Sequence, residues 1–170
     1  MPTDQQYYAI KTAFLALVDT LNAAPSLQGF LTKAYPFFAH SVGNPEPGKC
    51  VLHCLVEDSE TDIQIFNPAQ NQTAETTFLI VLDCILNEDG DVFSSSSNTS
   101  LLDHEQRVLT ALQSVRYLGA ENSALIWKVG TIARDVGIPD GAGGVDTPTP
   151  IRRTEIRIIV KCPLWDNRTE

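Results

Sequence analysis

Residues 76–86 read TTFLIVLDCIL and form the longest apolar run in the chain. The run is rich in β-branched and aromatic residues, and polar turn-forming residues flank it on both sides. An apolar run of this length is short for a buried helix, so the pattern predicts a strand. A strand this apolar has to be covered on most of its surface. The other elements are therefore interpreted as its neighbours in a sheet or as its cover.

Several other segments carry strand patterns. Residues 50–56 (CVLHCLV) predict a second buried strand, and residues 62–66 predict either a short strand or an extended arm. Together with residues 76–86 they suggest an antiparallel meander. A further strand is predicted at residues 124–132. The clearest alternation lies at residues 154–162, where one face carries Ile156, Ile158, Val160 and Cys162 and the other carries Glu155, Arg157, Ile159 and Lys161.

Two amphipathic helices are predicted to cover this sheet. The first has apolar residues at helical spacing: Tyr7, Ile10, Phe14, Leu17, Val18 and Leu21. The second is expected from about Leu101 to Leu118, since Ser100 and Asp103 form a capping-box pattern and Gly119 suits a C-terminal cap. Between the first helix and residue 50, the aromatic residues at positions 30–38 are expected to pack under the sheet edge.

The bulk composition indicates one globular domain. With 170 residues and 43% apolar residues, the chain can bury a self-sufficient core. We expect a single α+β domain over residues 1–170, with a mainly antiparallel sheet of four to five strands covered by two amphipathic helices. Long loops are expected near residues 87–99 and 136–150. No secretory signal or membrane-spanning run is apparent. The net charge of −9 argues against binding to nucleic acid by neutralising phosphates.

The residues capable of chemistry do not form a recognisable motif. Cys50, His53 and Cys54 are close in sequence, but on a strand His53 points away from the two cysteines, so they cannot share a zinc ion. We expect no metal and no cofactor, and all four cysteines are expected to be reduced thiols. Asp83, His53 and His104 are the candidates for an enzyme, although Asp83 is more simply interpreted as facing solvent or an arginine of the final strand.

A basic stripe near the end of this acidic chain is the other candidate site. It consists of Arg152, Arg153, Arg157 and Lys161, and the preceding glycine-rich loop carries Asp140 and Asp146. The stripe is interpreted either as a solvated strand face or as a salt-bridging edge against an acidic patch on a neighbouring subunit. These six residues are the predicted subunit interface.

The order of elements and the ending TEIRIIVKC at residues 154–162 resemble the tail-terminator (tail-completion) proteins of long-tailed bacteriophages. The resemblance implies an α+β subunit that forms a ring, a hexamer in that family, which caps the tail tube and joins it to the neck or head. It also implies contacts with the tail tube protein and a connector protein, and a lumen through which DNA passes without specific binding. The protein would be made in the host cytoplasm and located in the virion. The alternatives are another head–tail connector or baseplate protein, and a small cytosolic enzyme.

Overall fold

The computed structural model describes residues 3–37, 46–57, 62–64, 73–85, 100–115, 117–118, 124–134 and 151–163. The two helices are α1 (Thr3–Ala23) and α2 (Leu101–Ser114), and a short 3-10 helix spans Pro25–Leu27. The strands are β1 (Leu31–Tyr35), β2 (Cys50–Val56), β3 (Asp62–Gln64), β4 (Thr73–Ile85), β5 (Tyr117–Leu118), β6 (Ala124–Arg134) and β7 (Ile151–Pro163). The predicted loops near 87–99 and 136–150, with Asp140 and Asp146, lie outside these described residues.

All strands belong to one sheet with the order β1-β2-β4-β7-β6-β5, and β3 pairs with β4 beside β2. β1 runs parallel to β2, and every other pairing is antiparallel. Five strands have five residues or more, whereas β3 and β5 are short. The predicted α+β fold, with two helices and a mainly antiparallel sheet, is thus confirmed. Residues 76–85 of the long apolar run lie in β4, between β2 and β7, and Leu86 lies outside the described residues.

The core lies between the helices and one face of the sheet. Alternate residues of β4 and β7 point into it, including Phe78, Ile80, Ile156 and Ile158, all fully buried. The buried apolar residues of α1 pack into the same core, where the Phe14 ring contacts the Phe78 ring edge-on with centroids 5.5 Å apart. The predicted alternation of β7 is therefore confirmed. Its apolar residues face the helices, and Glu155, Arg157, Ile159 and Lys161 face the opposite side of the sheet. We call that opposite side the polar face.

The second helix begins as predicted and ends earlier than predicted. Ser100 accepts a hydrogen bond from the Asp103 backbone, and Asp103 accepts one in return from the Ser100 backbone, which completes the capping box. The helix ends at Ser114 because the backbone of Val115 is extended, with a φ of −122° and a ψ of 107°, and Tyr117–Leu118 pairs with the start of β6. Gly119, the expected cap, lies outside the described residues.

The strand β1 was missed by the sequence analysis, which placed these residues under the sheet edge. After the 3-10 helix, Gly29 has a φ of 82°, a backbone conformation that glycine adopts at little cost, and the chain turns into the sheet. β1 then pairs with β2 in parallel, at an edge that the predicted meander did not include, whereas β2 and β3 each pair with β4 antiparallel. Only Ala34 of the five strand residues is fully buried, which explains why no alternating pattern was visible.

Candidate functional site

The polar face of the sheet holds most of the predicted basic stripe. Arg153, Arg157 and Lys161 lie along β7 with side chains on this face. Arg152 has the other parity and stands opposite Cys84. Because β7 pairs with β4 on one side and β6 on the other, the row lies in the middle of the sheet and not at its edge. The structure therefore brings together three of the four predicted basic residues.

Each of these three residues has a carboxylate partner within the chain. Arg153 donates to Asp83 from Nε at 2.7 Å and from Nη2 at 2.8 Å. Arg157 donates from Nε to Glu57 at 2.8 Å and lies 3.2 Å from Glu155 through Nη2. Lys161 Nζ lies 3.9 Å from Glu75. The stripe is thus a row of ion pairs that ties β7 to β4 and to the end of β2.

The ion pair at Asp83 is the most buried part of the row. The Asp83 and Arg153 side chains are only 9% and 12% exposed, and His53 Nε2 lies 3.3 Å from Asp83 Oδ2. Tyr35 stacks on the His53 ring with centroids 6.2 Å apart. Burial alone would raise the pKa of the Asp83 carboxyl, but hydrogen bonds from Arg153 and His53 outweigh it and hold that pKa below its usual range. Asp83 is therefore an ionised acceptor.

The sequence predicted the Asp83 partner but not the whole cluster. An arginine of the final strand was one of the two expected neighbours of Asp83, and Arg153 stands directly opposite it. The contact with His53 was missed, because it depends on the register in which His53 faces Val81, two residues from Asp83 on the same face. The 16 or more residues that connect β2 to β4 do not fix this register, unlike a two-residue hairpin turn.

The third candidate, His104, lies in α2 on the helix side of the sheet, away from Asp83 and His53. Its ring is fully buried beside Phe30, and Arg107 Nη1 lies 3.3 Å from its Nδ1. A guanidinium only donates, so Nδ1 accepts and Nε2 carries the proton. Within the described part of the chain, Nε2 has no hydrogen-bond partner. Burial, reinforced by the charge of Arg107, lowers the pKa of His104 to about 4.

A second buried carboxylate, Glu105, was not singled out by the sequence analysis. It follows His104 in α2 and accepts two hydrogen bonds from Arg134 of β6, both at 2.8 Å. The Glu105 side chain is 4% exposed, whereas Arg134 is 45% exposed and covers it. This pair connects α2 to the last residue of β6. Its signal in the sequence was its spacing, since Glu105 lies four residues after Leu101 and three before Val108, both buried on the inner face of the helix.

Strand parity separates the two cysteines of β2 from its histidine. Cys50 and Cys54 point into the core, and His53 points to the polar face, as the sequence predicted. Across the described ranges, no group of three or more His, Cys, Asp or Glu side chains is arranged to hold a metal ion. Neither described helix is long and apolar enough to cross a membrane.

A scan against models of protein families and a search of curated proteins find no match to this chain.

Proposed function

We propose that this chain is a structural subunit of a phage virion, a tail terminator that forms a ring of about six copies. The ring would cap the tail tube, contact the tail tube protein and join a connector at the neck. The protein would be made in the host cytoplasm and act in the virion. The observation that supports this proposal is the polar face, where a row of charged residues lies along β7 on the side of the sheet opposite the helices.

A closed ring needs a heterologous contact, in which one patch of a subunit meets a different patch of its neighbour. Charged residues are suited to this contact because they select the partner and fix the register. The Arg157 and Lys161 side chains are 29% and 27% exposed, so they still reach the surface while paired within the chain. A carboxylate of a neighbouring subunit can therefore share them.

The overall charge agrees with the proposed passage of DNA. A net charge of −9 repels phosphates, so DNA would slide past the ring without binding. The same features suit another head–tail connector or a baseplate protein, which would differ in location within the particle.

The contact between His53 and Asp83 is also compatible with an enzyme. His53 and Asp83 lie 3.3 Å apart, as a general base and the residue that orients it would. However, Arg153 already donates to both oxygens of Asp83, and the cluster is almost fully buried. The cluster is therefore better explained as an internal ion pair that holds β2, β4 and β7 together.

A charge swap separates the internal role of Arg157 from a role between subunits. In Arg157→Glu/Glu57→Arg the pair with Glu57 is kept with reversed polarity and the contact with Glu155 is lost, while a neighbouring subunit meets the wrong charge. The matched control is Lys49→Glu/Glu46→Lys, which reverses an exposed pair 2.7 Å apart outside the row. We expect sedimentation of the wild type and the control to give the mass of a ring. The swapped variant should sediment as smaller species, and its thermal midpoint should fall only slightly, because the partly exposed contact with Glu155 contributes about 1 kcal/mol or less.

A wild-type chain that stays strictly monomeric, both alone and with the tail tube protein, would overturn the ring. A swapped variant that assembles normally would remove Arg157 from the interface. An enzyme would instead lose turnover in His53→Gln and keep its assembly.

A further inference from the structure

Two of the four cysteines face each other across the β2–β4 pairing. Cys50 is the first residue of β2, and its partner in the register is Cys84, next to the last residue of β4. Both side chains are fully buried in the core on the helix side of the sheet. The other two cysteines have different partners, since Cys54 faces Ile80 and Cys162 faces Ala74.

The hydrogen bonds identify what kind of pair this is. Just beyond β2, Glu57 donates its backbone N–H to Thr77 at 3.0 Å, so Glu57 and Thr77 form a hydrogen-bonded pair. Hydrogen-bonded and non-hydrogen-bonded pairs alternate along an antiparallel ladder. Counting back along β2, Cys50 and Cys84 form a non-hydrogen-bonded pair. The Cys50 N–H agrees, because it points away from β4 and donates to Phe30 O at 2.8 Å.

This type of pair has the separation that a disulfide needs. The Cα atoms of a non-hydrogen-bonded pair lie about 4.5 Å apart with their side chains close together, and disulfides span Cα separations of about 4.4–6.8 Å. We propose that Cys50 and Cys84 are a modification site: they form an intramolecular cross-strand disulfide when the protein meets a disulfide oxidant. The proposal does not depend on the proposed function.

The chemistry is thiol–disulfide exchange. One thiol loses its proton, and the thiolate attacks an oxidised small-molecule disulfide, which releases one thiol and leaves a mixed disulfide. The second cysteine then loses its proton and attacks the protein sulfur of the mixed disulfide, which releases the second small thiol. The oxidant is reduced to two thiols as the two cysteines are oxidised.

Burial makes the reaction slow and the product well shielded. It raises the pKa of the Cys50 thiol to about 12, so the thiolate is scarce while the strands are closed. The pair lies where β2 begins and β4 ends, and strand ends open at lower free energy than the core does. We therefore expect reaction over hours, and faster in a low concentration of urea that loosens the strand ends.

The test uses the full chain, oxidised glutathione as the oxidant, and mass spectrometry after alkylation of the remaining thiols. The expected product has two alkylated cysteines, and a peptide map links Cys50 to Cys84. Reduction reverses it, and the cross-linked chain has a thermal midpoint several degrees higher, because the bond closes a loop of about 35 residues.

Cys54→Ala and Cys162→Ala serve as matched controls, since each removes a buried thiol outside the pair and should keep the cross-link. Cys50→Ala and Cys84→Ala should abolish it. The proposal is overturned if, with and without urea, all four thiols stay alkylatable, if another pair is linked, or if only links between chains form.

Discussion

The buried ion pair between Asp83 and Arg153 gives the sharpest prediction for stability. In Asp83→Asn the side chain keeps its shape, so no cavity forms, but the charge is lost and the new amide group places N–H donors beside those of Arg153. The arginine, whose side chain is 12% exposed, is left in the sheet without its carboxylate.

Breaking a buried pair by removing one partner costs about 3–5 kcal/mol. We expect the lower end, about 3 kcal/mol, because the Asn oxygen still accepts one hydrogen bond and Glu155 lies near Arg153. A domain of this size loses about 2–4 °C of thermal midpoint per kcal/mol, so the midpoint should fall by about 6–12 °C. Replacing both partners, in Asp83→Val/Arg153→Met, should recover most of the loss, since an apolar pair of similar volume is close to neutral.

Urea unfolding followed by the fluorescence of Trp127 and Trp165 measures these differences, and equal slopes confirm that the unfolded states are comparable. The same free energies of unfolding should also be measured as a function of pH. The folded pKa of Asp83 lies below its unfolded value of 3.8, so its stabilisation is present above that value and is lost as the pH falls through the folded value. The difference between wild type and Asp83→Asn should therefore shrink below about pH 4. A cost under about 1 kcal/mol at neutral pH, or a difference that does not change in acid, would refute the reasoning.

The remaining predictions concern three other contacts. The pKa of His104 in the folded chain is about 4, below its usual 6.5, so the unfolded chain binds the proton first. The free energy of unfolding should therefore fall by about 3 kcal/mol as the pH drops from about 6.5 to 4. In His104→Phe the free energy of unfolding should depend less on pH over this range. Asn22 binds both the N–H and the C=O of Ala34 on the outer edge of β1, at 2.9 and 3.0 Å. Asn22→Ala should therefore cost about 1 kcal/mol and increase concentration-dependent light scattering, whereas an unchanged scattering signal would count against an edge-guarding role. Ser100→Ala should cost about 1 kcal/mol in urea unfolding, and a similar loss in Asp103→Ala would show that the capping box acts as a unit.

The sequence predicted those elements whose pattern is set by burial on one or both faces. β2 and β4 were recognised because most of their described side chains are buried, and β7 because its two faces differ. The capping box was predicted because it depends on residues only three positions apart. Each of these signals is local, so a single sequence contains it.

What the sequence did not predict depends on partners that are distant along the chain. β1 has two exposed polar residues, Thr32 and Lys33, and is a strand because α1 and β2 hold it in place. The approach of His53 to Asp83 needs the β2–β4 register, and the pair between Glu105 and Arg134 needs the position of α2 over β6. Parity placed Arg153, Arg157 and Lys161 on one face but could not reveal their internal carboxylates. That these residues form a subunit interface stays a prediction.

The pairing of β4 with β7 has a consequence for how the chain folds as it is made. Partners in this ladder, from Thr73 with Pro163 to Ile85 with Ile151, are about 65–90 residues apart in sequence. A ribosome adds about 5–20 residues per second, so β4 emerges several seconds before the strand that completes it. During that interval β4, the most apolar strand of the protein, has one edge without a partner strand, close to other chains that are still incomplete. Synthesis therefore passes through a stage that is open to aggregation, which ends when β7 pairs with β4.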